Sequence, residues 1–258
     1  MLSLVARVCI FCGGTKMSAE HVWPQWAAKR VAYSGVHKVR SYAHLEGHQA
    51  VEHESDQRAY ALKARVVCES CNNGWMSKIE NAAKPYFETM LYARGRELHK
   101  EGQRTLAAWA LKTSIVWTAS YAKERSVIPT VDLSHLRDYG EPSSAMSVWI
   151  ASYDGSHPAV ADAYGIAANH KEDGTPYSIW ATTVGFGPVA FHLFGSTVPG
   201  VTIESIRLPA WVHRIWPIQK TFAWTPRPCC TDEQLKAWMD GVLQQFESLG
   251  VQPLASQA

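Results

Sequence analysis

Two short cysteine pairs carry the residues best suited to chemistry. The first reads Cys9-Ile10-Phe11-Cys12 and is followed by Ser18-Ala19-Glu20-His21-Val22-Trp23-Pro24. The second reads Cys68-Glu69-Ser70-Cys71-Asn72-Asn73-Gly74-Trp75. Each C-x-x-C spans one tight turn, and two such pairs far apart in sequence have the spacing of a four-thiolate zinc site. Cys9, Cys12, Cys68 and Cys71 would close the shell, so the zinc is expected to be structural, clamping two segments with little core of their own. A Glu-His step after the first pair and an Asn directly after the second put three polar groups close to that ion. Such a set suits hydrolysis at a phosphate. A neutral imidazole can take a proton from water near pH 7. Glu20 and Asn72 offer the hard oxygens that hold Mg²⁺ against a leaving oxygen. Adjacent strand residues point to opposite faces, so Glu20 and His21 share one site only if the strand is bent or bulged there.

Taken together, Cys9-x-x-Cys12, Glu20-His21-Val22-x-Pro24 and Cys68-x-x-Cys71-Asn72 resemble the zinc-containing branch of the HNH endonucleases, the ββα-metal nucleases. The resemblance covers residues 7 to 82. It implies a structural zinc supporting a hairpin plus helix, His21 as general base, and a catalytic divalent ion, Mg²⁺ or Mn²⁺, held by Glu20 and Asn72. It also implies nucleic acid as substrate, DNA being the expected one, and a setting in phages, mobile elements or anti-phage defence. Two departures stand out. Leu62-Lys63-Ala64-Arg65-Val66-Val67 offers no Asn where many relatives use one to brace the loop of the base. Glu20 stands where Asp is more common, a longer reach that can still ligate.

Around this core, Lys63 and Lys78 are candidate phosphate contacts, with a solvated surface role as the alternative. Asn73 either reinforces the metal loop or caps the following helix. Trp23, Trp26 and Trp75 either stack on bases or form core. Cys229-Cys230 is adjacent rather than spaced and reads as packing.

Composition narrows the class. With 47% apolar and 19% charged residues in 258, the chain is an ordinary globular sequence rather than a disordered one. No run of 18 apolar residues predicts a membrane span. The opening Met1-Leu2-Ser3-Leu4-Val5-Ala6-Arg7 lacks the basic and apolar regions of an export signal, so a cytoplasmic location is expected, where paired thiols favour metal over disulfide. A net charge of +2 does not announce a nucleic-acid binder, but its distribution does more. Up to Thr105 there are 15 Lys and Arg against 10 Asp and Glu; from Leu106 onward there are 10 against 13. The basic excess lies with the cysteines, as a phosphate-contacting module needs.

The elements that must position these residues follow from local patterns. A strand is expected from Met17 to Trp23, stopped by Pro24, then a short helix over Gln25–Tyr33. Ser34 to Arg58 is polar, with His37, His44, His48 and His53 irregularly spaced, and reads as an insertion or long loop. Ala59–Val67 reads as extended, Gly74–Ala83 as helix, and Pro85 as a break or a new start. From Arg104 to Lys123 a helical period gives one broad apolar face. Strands are expected at Met146–Ala151, Ala159–Ala167, Tyr177–Val184, Val189–Phe194 and Val201–Ile206, with short turns that imply an antiparallel sheet. Thr231 and Gln234 form a capping box before a final helix that ends at Gly250.

The expected fold class is therefore α+β: a zinc-supported ββα-metal module over residues 1–100, then an α+β domain over 101–258 with an antiparallel sheet and flanking helices. The second domain would select substrate, form a homodimer or bind a protein partner. Two other functions fit parts of the sequence: a non-catalytic zinc module that binds nucleic acid or protein, and a redox protein using the thiol pairs.

Overall fold

The computed structural model describes residues 7–28, 37–44, 51–57, 62–121, 128–155, 159–169, 176–197, 209 and 211–238. In the first part of the chain, β1 (Met17–His21) leads to the short helix α1 (Gln25–Ala28), then β2 (His37–His44), β3 (Val51–Gln57) and β4 (Lys63–Cys68). A helical turn, α2 (Glu69–Cys71), and a wider turn (Asn72–Met76) run into α3 (Ser77–Leu91), followed by β5 (Arg96–Leu98) and α4 (Lys100–Tyr121). Then come α5 (Thr130–Tyr139), β6 (Met146–Ser152), β7 (Ala159–Asn169), β8 (Pro176–Phe186), β9 (Val189–Ser196), β10 (Val212–Trp216) and β11 (Phe222–Trp224). A last helix, α6, is described over residues 232–238. The fold is mixed helix and sheet.

Three sheets form: β1 with β4, β5 with β11, and seven strands in the order β10-β6-β9-β8-β7-β2-β3. Neighbours in the large sheet are antiparallel, as the short turns predict, apart from a brief parallel contact of β2 with β7 at Ala43–Ala163 and His44–Tyr164. The expected strand at Val201–Ile206 and the helix beyond Trp238 lie outside the described residues.

α4 is the organising helix. From Leu106 to Thr118 every residue is buried, so the single apolar face read from its period is an underestimate. It packs against α3 and β4 on the cysteine side and against strands of the large sheet. One buried cluster runs from Cys9 through Phe87, Trp109 and Phe186 to Trp224, drawing on both sides of residue 100. Among the described residues no helix is long and apolar enough to cross a membrane.

Two local expectations are corrected. The segment read as a polar loop after Ser34 contains the β2–β3 hairpin, paired from His37–Gln57 to Ala43–Val51. Its register puts Lys38 across from Asp56 and Arg40 across from Glu54, a polar alternation with no apolar period to betray a strand. Pro85 does not end a helix; it lies inside α3. The buried stripe Ile79, Ala83, Phe87 and Met90 continues across it, and that packing outweighs the backbone bond proline cannot make.

Candidate functional site

The four sulfurs meet. The Sγ atoms of Cys9, Cys12, Cys68 and Cys71 all lie within 4.8 Å of one another, with Cys12–Cys68 at 3.5 Å and Cys12–Cys71 at 3.6 Å. Thiolates bound to one zinc at about 2.3 Å stand about 3.8 Å apart along a tetrahedron edge, so the cluster could hold a structural metal such as zinc. Backbone turns bring the sulfurs together. Gly13 N–H donates to Cys9 O and Cys9 N–H to Gly14 O, both at 2.8 Å. Gly13 takes a φ of +73°, the left-handed region that glycine enters freely. A Cβ on Gly14 would sit 3.3 Å from the sulfurs of both Cys12 and Cys68.

The second turn is electrostatically tuned. The Cys71 backbone N–H points at Cys68 Sγ at 3.5 Å and pulls that thiol down to about 7. Burial pushes the Cys71 thiol up. Two strand-like bonds stitch the halves, Ile10 N–H to Val66 O at 3.0 Å and Glu69 N–H to Lys16 O at 2.9 Å. From α5, Arg137 donates to Phe11 O at 2.6 Å inside the first turn. No disulfide occurs among the described cysteines.

Beside the cluster, β1 and β4 pair antiparallel with a shift in register between Ser18 and Glu20, but Glu20 and His21 themselves pair regularly with Ala64 and Lys63, so the shift does not turn the two side chains to one face. Glu20 turns inward and His21 stays half-buried. Asn72 donates to Ser18 Oγ at 2.8 Å, and its amide lies near enough to Glu20 to favour the charged carboxylate. His21 pairs with Lys63 across the ladder. Its Nε2 lies 3.0 Å from the Gln25 side-chain amide, a contact whose direction depends on the tautomer of the ring. Burial first, then the Lys63 charge, lowers the His21 pKa, with Glu80 opposing. The imidazole is thus held neutral. Lys63, Lys78 and Asn73 are all exposed.

Glu20 has a partner the sequence reading did not include. Lys112, at the middle of α4 and wholly buried, places Nζ 3.3 Å from Glu20 and 2.6 Å from Glu80. Burial raises the Glu20 pKa, and Lys112 and Asn72 pull against that rise. The expected divalent ion on Glu20 and Asn72 fits this arrangement poorly. The carboxylate already has a cation, and Asn72 presents its amide N–H to Ser18. Among the described residues, the four cysteines are the only gathered group of three or more His, Cys, Asp or Glu donors.

Sequence reasoning missed Lys112, Gln25 and the pairing role of Glu80. The signal for Lys112 was present: a lone cation in the apolar run from Leu106 to Trp117 must be paired if buried. The tryptophans near the cluster serve the core. Trp23 is fully buried and donates to Gly185 O at 3.1 Å, Trp26 packs on Phe87 and Phe186, and Trp75 meets Phe11 edge-on. Compared with protein families, curated proteins and solved structures, the chain matches none, so its chemistry rests on these residues alone.

Proposed function

We propose that the chain hydrolyses nucleic-acid phosphodiester bonds, DNA in the first instance, in the manner of the HNH endonucleases that its cysteine and Glu-His pattern resembles. The observation that carries this reading is the meeting of four sulfurs, which ties the segment bearing Glu20 and His21 to the segment bearing Asn72. The β1–β4 pair followed by α3 offers the two strands and helix of a ββα module. His21 is neutral and reachable, and exposed Lys63 stands across from it to meet a phosphate. In the reaction, His21 takes a proton from water, the water oxygen bonds to phosphorus, and the bond from phosphorus to the leaving oxygen breaks. The leaving oxygen recovers a proton from solvent. A divalent ion, when bound in such a site, neutralises charge on the leaving oxygen; with Glu20 held by Lys112, no step is assigned to one.

One observation favours a second reading. A carboxylate neutralised by a buried lysine is what a non-catalytic zinc module, binding nucleic acid or protein without cutting, would tolerate. A plasmid-nicking assay separates the two, with and without added Mg²⁺ or Mn²⁺. Cleavage by wild type that falls by about 10²- to 10⁴-fold in His21→Ala supports the nuclease, that being the range for loss of a general base. No cleavage by wild type under any of these conditions supports the binding module. Equal cleavage by both proteins removes His21 from the chemistry.

A further inference from the structure

We infer that Lys112 is the resident cation of the Glu20–Glu80 carboxylate pair and excludes a divalent ion from it. The ammonium sits 2.6 Å from Glu80 and 3.3 Å from Glu20, with no exposed side-chain surface of its own. The two carboxylates retain some, Glu20 at 10% and Glu80 at 23% of their side-chain surface, so the lysine lies beneath them on the interior side. It cannot withdraw. α4 is buried on all sides around it, and an ammonium in that interior must keep its carboxylates or leave an unpaired buried charge.

A divalent ion on Glu20 would have to sit close to this ammonium and share its ligand. The site's charge makes that unfavourable: two carboxylates and one ammonium leave a single negative charge for a doubly charged ion. Mg²⁺ and Mn²⁺ also need near-octahedral oxygen at about 2.1 Å. Glu20 is 7% exposed, which leaves little room for the accompanying waters, and the Asn72 amide presents its N–H to Ser18. Lys112 has a second effect, on position. It ties β1 through Glu20 and α3 through Glu80 to α4, so the carboxylate beside His21 is oriented by a residue 92 positions further along the chain. The exclusion stands on this ion pair and holds whether or not the chain cuts DNA. If the nuclease reading is right, cleavage proceeds without a divalent ion at Glu20.

The test uses the zinc-loaded full chain and Mn²⁺ as probe, counting bound ion by the loss of the free-Mn²⁺ electron paramagnetic resonance signal. Wild type is expected to bind none through the millimolar range. Lys112→Met is expected to take up one Mn²⁺ per chain, and Lys112→Met/Glu20→Gln to lose it again. Mn²⁺ bound by wild type and lost in Glu20→Gln overturns the inference, as does a folded Lys112→Met that binds none. Should Lys112→Met fail to fold, the His21 ring signals of wild type decide. Sharp ring resonances in the presence of Mn²⁺ uphold the exclusion; paramagnetic broadening that Glu20→Gln abolishes defeats it. These readouts do not involve cleavage, so failure here and failure of the nuclease reading are told apart by the nicking assay.

Discussion

His21 sits between unlike influences. Burial and then Lys63 favour the neutral ring, while Glu80 favours the protonated one, and the sum lies below the ordinary 6.5. A folded-state pKa lowered in this way means that the neutral form's contribution to stability is present above 6.5 and is lost as pH falls below it. The same sign governs activity. The rate of DNA nicking should rise from acid pH to a plateau with its inflection below 6.5, and Lys63→Ala should move that inflection up toward 6.5. An inflection that lies above 6.5, or that ignores Lys63, would remove this histidine as the titrating base. The gathering of Cys9, Cys12, Cys68 and Cys71 was legible from spacing, because each pair spans one tight turn. Their neighbours were less so. Gln25 and Glu80 are ordinary polar residues until the backbone curls them toward His21 and Lys112.

The elements around the cysteines are held on one side by the shared core with α4 and on the other by the four sulfurs. β1 and β4 form a sheet of only two strands, closed by single bonds such as Val22 N–H to Leu62 O at 3.1 Å. Two-stranded pairs are marginal in water, so in a metal-loaded chain removal of the ion should loosen the edge nearest the cysteines. Amide exchange at Ile10, Val22 and Glu69 is expected to speed up, while the β6–β9 and β8–β9 ladders keep their protection. Arg137 braces the first turn from outside, and its guanidinium also lies in the field of Cys12 and Cys71. Arg137→Ala should speed the loss of a metal loaded at the cluster to a chelator by roughly a few-fold, the scale of one partly exposed hydrogen bond. Strands β6 to β9 and the capping box of the last helix were readable because local pattern and tertiary role agree; Thr231 N–H and Gln234 Oε1 do meet at 3.0 Å. The β2–β3 hairpin and the passage of α3 through Pro85 were not, because pairing and packing elsewhere in the chain decide them.

For the whole molecule, acid is the condition to watch. His192 on β9 is buried, with Nδ1 2.8 Å from Thr183 Oγ1 and its ring against Trp149 and Trp238. Among the described residues Nε2 has no hydrogen-bond partner, and burial holds the ring's pKa down to about 3. The unfolded chain takes up this proton near 6.5 and the folded chain does not, so stability should fall as pH drops from 6.5 toward 3. One such group gives a slope of about 1.4 kcal/mol per pH unit. Urea midpoints measured across that window should lose most of this slope in His192→Gln, which keeps a polar group for Thr183; an unchanged slope would assign the acid sensitivity elsewhere. Nothing in the sequence marks His192, because its burial comes from aromatic residues on other elements. The path of the chain between the cysteine pairs carries a last consequence. It leaves the first turn, adds a hairpin to the rim of the seven-stranded sheet beside β7, and returns to the second turn. The thiolate end is therefore no transplantable cassette: grafted alone onto another scaffold, it would arrive with Trp23 deprived of Gly185, Glu20 deprived of Lys112, and an open strand edge inviting aggregation.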